Sequence, residues 1–200
     1  MSNIRKTIWS KRLADKYGWT RVDCDEIIEQ RLGSELTAQG FVGLKGMAAW
    51  MGQPYETRYA ETSRKYLARE RLVMLGTLDA LRTAPPEEAV IIDTTGSVIY
   101  TGDDVGDALR RQVRVVCLDS SPEHAAMLFE RYIAAPKPVI WGDSFNRRDE
   151  ETPDEALKRC YPELLETRAR RYRQLAHTVI PFEQHMKPDA DLLDLISHAE

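Results

Sequence analysis

Val22-Asp23-Cys24-Asp25-Glu26-Ile27-Ile28-Glu29-Gln30-Arg31-Leu32-Gly33 is the stretch on which the fold turns. A short apolar lead-in, Trp19 to Val22, ends in two carboxylates spaced i, i+2, and a helical pattern starts at once. Asp25 reads as the helix N-cap, Ile27, Ile28 and Leu32 as its buried stripe, and Gly33 as its C-terminal stop. In an α/β protein, a carboxylate pair at the carboxyl end of a strand lies on the rim where ligands bind. Two readings stay open on this stretch alone: the aspartates start a helix, or they form part of a catalytic rim.

Upstream, Trp9, Leu13 and Tyr17 recur at i, i+4, i+8 and Gly18 follows, which predicts an opening helix. Lys6-Thr7 stands at its start. That is the tail of the phosphate-loop pattern G-x-x-x-x-G-K-[ST], in which amides and a lysine hold phosphate and the hydroxyl meets Mg²⁺. Arg5 stands where the second glycine belongs.

Downstream, residues 34–53 are rich in glycine, with Phe41, Leu44, Met47, Trp50 and Met51 between. They read either as a short mobile cover over a cleft or as a surface loop packing its own aromatics. A long helix is predicted from Pro54 to about Arg82. Ala89-Val90-Ile91-Ile92-Asp93 is an apolar run of the kind found in strands buried on both faces, and it ends in the polar turn Asp93-Thr94-Thr95-Gly96-Ser97. A second such strand runs from Val113 to Leu118 and ends at Asp119-Ser120, with Ser121 capping a helix and Pro122 at its first position. Further helices are predicted at about 153–160 and 162–176, a short strand at 177–180 and a last helix at 189–198. Strands alternating with helices give a parallel sheet with helices on both faces, and every strand ends in ligand-capable residues.

The chain has 200 residues and a net charge of −4, enough for one domain with a proper core. Its basic residues are scattered, which argues against nucleic acid as the main partner. No apolar run approaches the roughly 20 residues of a membrane span, and the first residues carry no signal-peptide core. Cys24, Cys117 and Cys160 are odd in number and far apart, as expected of reduced thiols in a cytoplasmic protein and not of metal ligands.

With these pieces in order, the chain resembles the shikimate kinases, within the P-loop small-molecule kinases. Lys6-Thr7 sits where the family has G-K-[ST]. The stretch from Asp23 to Gly33 is similar to the family's D-[ST]-D-x-x-I-E-x-x-x-G. Lys137-Pro138-Val139-Ile140 stands where the lid has R-P-L-L, and the run from Leu164 to Tyr172 is similar to the closing L-x-x-x-R-x-x-x-Y. The resemblance implies a three-layer α/β/α P-loop kinase fold over one domain, residues 1–200, with a lid at about 136–152 and an acceptor-side insertion at about 34–64. It implies that a first, central strand is missing from this chain: either the start recorded here lies downstream of the family's, or the chain is a degenerate relative.

The implied activity is ATP-dependent phosphoryl transfer to a hydroxyl of a small acidic metabolite, with ATP and Mg²⁺ as cofactors and a monomer as the working form. The alternative is a non-catalytic kinase-like binding module. By position, Lys6 and Lys137 act on the transferring phosphoryl, and Arg5, Lys6, Thr7, Ile8 and Arg131 bind the nucleotide. Thr7 and Asp23 serve the metal. Asp25 is both a catalytic residue and an acceptor-binding one, and Thr94, Thr95, Gly96 and Arg168 complete the acceptor site. This chain departs from the family in two places. The family's G-G-G turn is Thr94-Thr95-Gly96 here, and the family's substrate-carboxylate arginine is Leu67, with Arg64 or Arg58 as substitutes from a neighbouring turn.

Overall fold

Trp9 and Leu13, one helical turn apart, bury one face of the first helix, α1 (Lys6–Tyr17), and Gly18 ends it with φ at +69°. These details belong to a computed structural model, which describes residues 6–85, 87–120, 124–134 and 137–198. Arg5 and the expected cap Ser121-Pro122 lie outside the described residues. The chain then forms β1 (Thr20–Asp23) and turns directly into α2 (Cys24–Ala38). The N-cap is Asp23 and not Asp25: Asp23 has extended backbone, and its Oδ1 accepts the Glu26 amide at 3.1 Å. Asp25 lies one residue inside the first turn. Gly33 is not a stop either. The stripe Cys24, Ile28, Leu32 and Leu36 continues at a spacing of four, and this burial carries the helix past Gly33 to Ala38.

The middle of the glycine-rich segment is helical and not a loop. It forms α3 (Gly43–Met51), whose Met47, Trp50 and Met51 are buried in the main core with α2 and with α4 (Tyr59–Thr83). β2 (Val90–Asp93) follows, then a 3-10 turn at Val98–Tyr100, α5 (Asp103–Gln112), β3 (Val116–Leu118) and α6 (Ala125–Ala134). The two helices expected on either side of Tyr161 are one helix, α7 (Pro153–Leu175), with Pro162 inside it. A proline there forfeits one backbone bond. Leu157, Cys160, Tyr161 and Leu164 on both sides of it are buried together, and that packing outweighs the local preference. β4 (Thr178–Ile180), α8 (Phe182–His185) and α9 (Leu192–Ser197) complete the described chain.

Among the described residues the strands pair as two parallel ribbons and not as one sheet. β1 lies beside β2 with Thr20 opposite Val90 and Asp23 opposite Asp93, and β3 lies beside β4 with Val116 opposite Thr178. Three apolar clusters hold this frame. The largest joins α2, α3, α4 and α5, and the second joins α1, β3, β4 and α9. The third gathers Tyr132, Trp141, Phe145 and Tyr161 under the segment 137–152. There the Tyr59 hydroxyl donates to the Val139 carbonyl at 2.9 Å and accepts the Trp141 amide at 2.8 Å, so this segment is tied to α4. Among the described residues, no helix is long and apolar enough to cross a membrane.

Candidate active site

The register that sets Asp23 opposite Asp93 brings two strand-end carboxylates to one rim. Arg21, on the same face of β1, makes that possible. Its Nη2 donates to Asp23 at 2.5 Å and to Asp93 at 2.7 Å, and its Nε donates to the Ser10 hydroxyl at 2.8 Å. Lys6 reaches the rim from α1: its ammonium donates to Asp93 Oδ1 at 2.6 Å and to the Thr94 carbonyl. Burial alone would raise the pKa of Asp93, only 2 % exposed. The Lys6 charge and the hydrogen bonds from Lys6, Arg21 and Ser10 outweigh it and hold the carboxyl below its ordinary range.

Beside this rim opens a cavity of about 410 Å³, whose lining includes Lys6, Thr7, Ile8, Arg131 and Lys137 together with Asp25 and Arg168. Leu44, Tyr66, Gly96 and Ser97 close it. The first turn of α2 delivers Asp25. Burial pushes its pKa up, opposed by the charge of Lys6 and reinforced by Asp23 and Asp93. The Tyr66 hydroxyl stands 3.5 Å from Asp25 Oδ1, the outer limit of a hydrogen bond. Arg168, from α7, is 5 % exposed; its Nη2 donates to the Ile140 carbonyl at 2.6 Å, and the Tyr100 ring lies 5.7 Å from its guanidinium carbon. Among the described residues no carboxylate forms an ion pair with it, and its Nε has no hydrogen-bond partner. A buried cation without an ion-paired carboxylate is costly.

The cavity gathers most of the residues singled out in the sequence: Lys6, Thr7, Ile8, Asp25, Gly96, Arg131, Lys137 and Arg168. Three are placed elsewhere. Asp23 caps α2 and pairs with Arg21, outside the cavity lining. Thr94 and Thr95 face a separate slot behind the turn. Neither substitute arginine reaches the cavity, since Arg58 pairs with Glu56 and Arg64 bonds the Ala60 carbonyl.

Sequence reasoning missed Ser97 and the hydrogen bonds that hold it. Thr95 donates to Glu70 Oε1, Ser97 donates to Glu70 Oε2 at 2.5 Å, and the Ser97 amide donates to Thr95 Oγ1 at 3.1 Å. The pair of hydroxyls after Asp93 was the available signal. Glu70, fully buried in α4, therefore fixes the turn that forms one wall of the cavity. Its burial raises its pKa to about 7, with the Ser97 and Thr95 bonds opposing and the Asp25 charge adding to the rise. Because the folded value lies above the unfolded one, the folded state binds the extra proton between about pH 4.5 and 7, and stability falls as pH rises through that window. Glu70→Gln is expected to remove this slope, which amounts to at most about 3 kcal/mol. Urea denaturation of both proteins from pH 4.5 to 8 checks it; parallel curves would assign the slope to other groups.

A donor set of two lysines and two arginines, with the Thr7 hydroxyl among three, fits a polyphosphate by charge. For a divalent ion the same cavity offers Thr7 and Asp25, while no cluster of three His, Cys, Asp or Glu side chains exists among the described residues.

No family model matches the chain, and no curated protein does. Solved structures match it in fold. The shikimate kinase from Acinetobacter baumannii in complex with shikimate is 21 % identical with a TM-score of 0.54, over 88 % of this chain and 76 % of that one. The shikimate kinase from Bacteroides thetaiotaomicron is 19 % identical with a TM-score of 0.56, over 98 % of this chain and 90 % of that one. The chain thus has a mostly helical α/β fold of the shikimate kinase-like P-loop type, with short parallel ribbons in place of a full sheet.

Proposed function

We propose that this chain transfers a phosphoryl group from ATP to a hydroxyl of a small, anionic acceptor bound in the 410 Å³ cavity. The observation that carries this reading is the meeting of Asp25 with Lys6, Arg131, Lys137 and the buried Arg168 on one cavity. Phosphoryl transfer consists mostly of positioning and charge neutralisation, so it calls for cations around the phosphates and a carboxylate at the nucleophile. MgATP, when bound, supplies the transferable phosphoryl and a divalent charge.

The chain's own groups then divide the work. Thr7, Ile8 and the start of α1 face the phosphates, and Arg131 stands on the nucleotide side. Lys6 and Lys137 neutralise charge on the equatorial oxygens. Arg168 anchors the anionic group of the acceptor from below. Asp25 accepts the hydrogen bond of the acceptor hydroxyl and takes its proton as the oxygen bonds to phosphorus and the nucleoside diphosphate leaves. Its raised pKa makes it a stronger base than a surface aspartate.

A thermal-shift titration with MgATP, followed by diphosphate release over a panel of hydroxy acids, tests the reading. At ~100 times Kd, binding should stabilise the fold by about 2.7 kcal/mol. No shift and no release would leave the second reading, a binding module without transfer. One observation favours that alternative: Lys6 is held by Asp93 and the Thr94 carbonyl.

A further inference from the structure

Residues 137–140 belong to no helix or strand, yet Val139, Ile140 and Trp141 are buried. Buried backbone outside regular structure must find its partners elsewhere. Two side chains supply them. The Tyr59 hydroxyl, from α4, donates to the Val139 carbonyl at 2.9 Å and accepts the Trp141 amide at 2.8 Å. The Arg168 guanidinium, from α7, donates to the Ile140 carbonyl between them. A carbonyl and the amide two residues on are the pair that one residue of a parallel neighbouring strand would take, so a single hydroxyl stands in for that strand. Only a group that donates and accepts at once can do this; a phenol does both, and phenylalanine does neither. Burial pushes the Tyr59 phenol above its ordinary pKa, which keeps on it the proton it donates. Its ring packs against two of the three apolar clusters, so ring and hydroxyl have separable roles.

Pro138 carries this fixity upstream. A proline holds its own φ at about −65° and keeps the residue before it out of the helical region. Lys137 therefore stands on a stiff two-residue arm from Val139, and Lys137, Pro138 and Val139 all line the 410 Å³ cavity. Lys137 itself is exposed, so what sets its place is the backbone that bears it and not packing around its side chain.

We infer that Tyr59 is a positioning residue for Lys137: its hydroxyl pins the backbone from Val139 to Trp141, and Pro138 transmits that anchorage to the ammonium at the cavity. This role rests on the reading of the cavity as a phosphate site, and not on transfer itself. Tyr59 is absent from the cavity lining, so it acts through the segment it holds. A tyrosine kept only for packing would use its ring and leave its hydroxyl to water. Here both functions of the hydroxyl are spent on the three residues that follow Pro138. Arg168 bonds the middle one of the three, so Lys137 and Arg168 share one backbone support.

The test is a double-mutant cycle on the binding of inorganic tripolyphosphate, read by calorimetry without nucleotide or acceptor. Lys137→Ala should weaken binding about tenfold, and Tyr59→Phe by roughly three- to tenfold. In the Lys137→Ala background, Tyr59→Phe should change it by less than about twofold, because the group it positions is gone. Amide hydrogen exchange is read alongside. Tyr59→Phe should speed exchange at Trp141 by about tenfold or more and leave Ile28 and Leu32 in α2 unchanged. Pro138→Ala should copy the loss of tripolyphosphate affinity while the Trp141 amide stays slow. Equal losses from Tyr59→Phe with and without Lys137 overturn the inference and make the hydroxyl a brace for the fold. Full affinity in Tyr59→Phe overturns it as well. So does full affinity in Pro138→Ala, a result that decides even where Tyr59→Phe does not fold. Absence of tripolyphosphate binding by the unaltered chain overturns it too. Phosphoryl transfer is measured separately: a chain that shows this cycle and no transfer keeps the positioning role and loses the transfer reading.

Discussion

Asp25→Asn is expected to reduce phosphoryl transfer by ~10²–10⁴-fold while leaving folding and MgATP binding in place. The amide keeps the shape and one acceptor oxygen, so the hydrogen bond from Tyr66 has a partner in the variant. What it loses is the ability to take a proton and the negative charge that faces Lys6 and Lys137. Folding should survive because the helix cap is Asp23, one turn-start earlier, and burial already disfavours the charged form of Asp25. Single-turnover transfer, circular dichroism and the MgATP thermal shift, read together, decide the matter. Undiminished transfer would reduce Asp25 to a residue of the first helical turn. Lost transfer with a lost thermal shift would place its role in nucleotide binding and not in the proton step.

The part of this site that was legible in the sequence is the part set by local chemistry. Two carboxylates after a short apolar run mark a strand–helix junction in any α/β chain, and the structure has that junction at Asp23 and Cys24. Which aspartate caps was not legible, since both satisfy the composition rule and only the extended backbone of Asp23 separates them. The segment 34–53 was misread for a different reason. Its glycines suggested loop, yet Met47, Trp50 and Met51 recur at helical spacing, and burial against α2 and α4 overrides the weak propensity of Gly43 and Gly46. Pro162 misled in the same way within α7. Tertiary partnerships lay beyond reach altogether. Glu70 and Thr95 are 25 residues apart, Lys6 and Asp93 are 87 apart, and no local pattern joins either pair. One parallel sheet was the expectation; that the four described strands pair as two parallel ribbons, with a slot between them, follows from burial and backbone pairing in three dimensions.

Arg168→Met is expected to move stability and acceptor binding in opposite directions. The guanidinium is 5 % exposed and donates to the Ile140 carbonyl at 2.6 Å. Glu70 is near enough for its charge to be felt, yet the pair makes no salt bridge among the described residues, and the Glu70 oxygens are bonded by Thr95 and Ser97. A methionine replaces the apolar stem of the arginine without a buried charge, so the melting temperature should hold or rise, despite the lost bond to Ile140. An anionic acceptor would lose a charge-assisted contact worth about 1.5–3 kcal/mol, which is roughly a 10–100-fold rise in its KM. Transfer to that acceptor at saturation should fall far less, because Asp25, Lys6 and Lys137 remain. Arg168→Lys restores the charge without the planar fork and should lie between the two. A residue that merely braces Ile140 predicts the reverse: a lower melting temperature in the methionine variant and an unchanged KM. The sign of the stability change therefore separates a cation held for a ligand from one held for the fold, even before an acceptor has been identified.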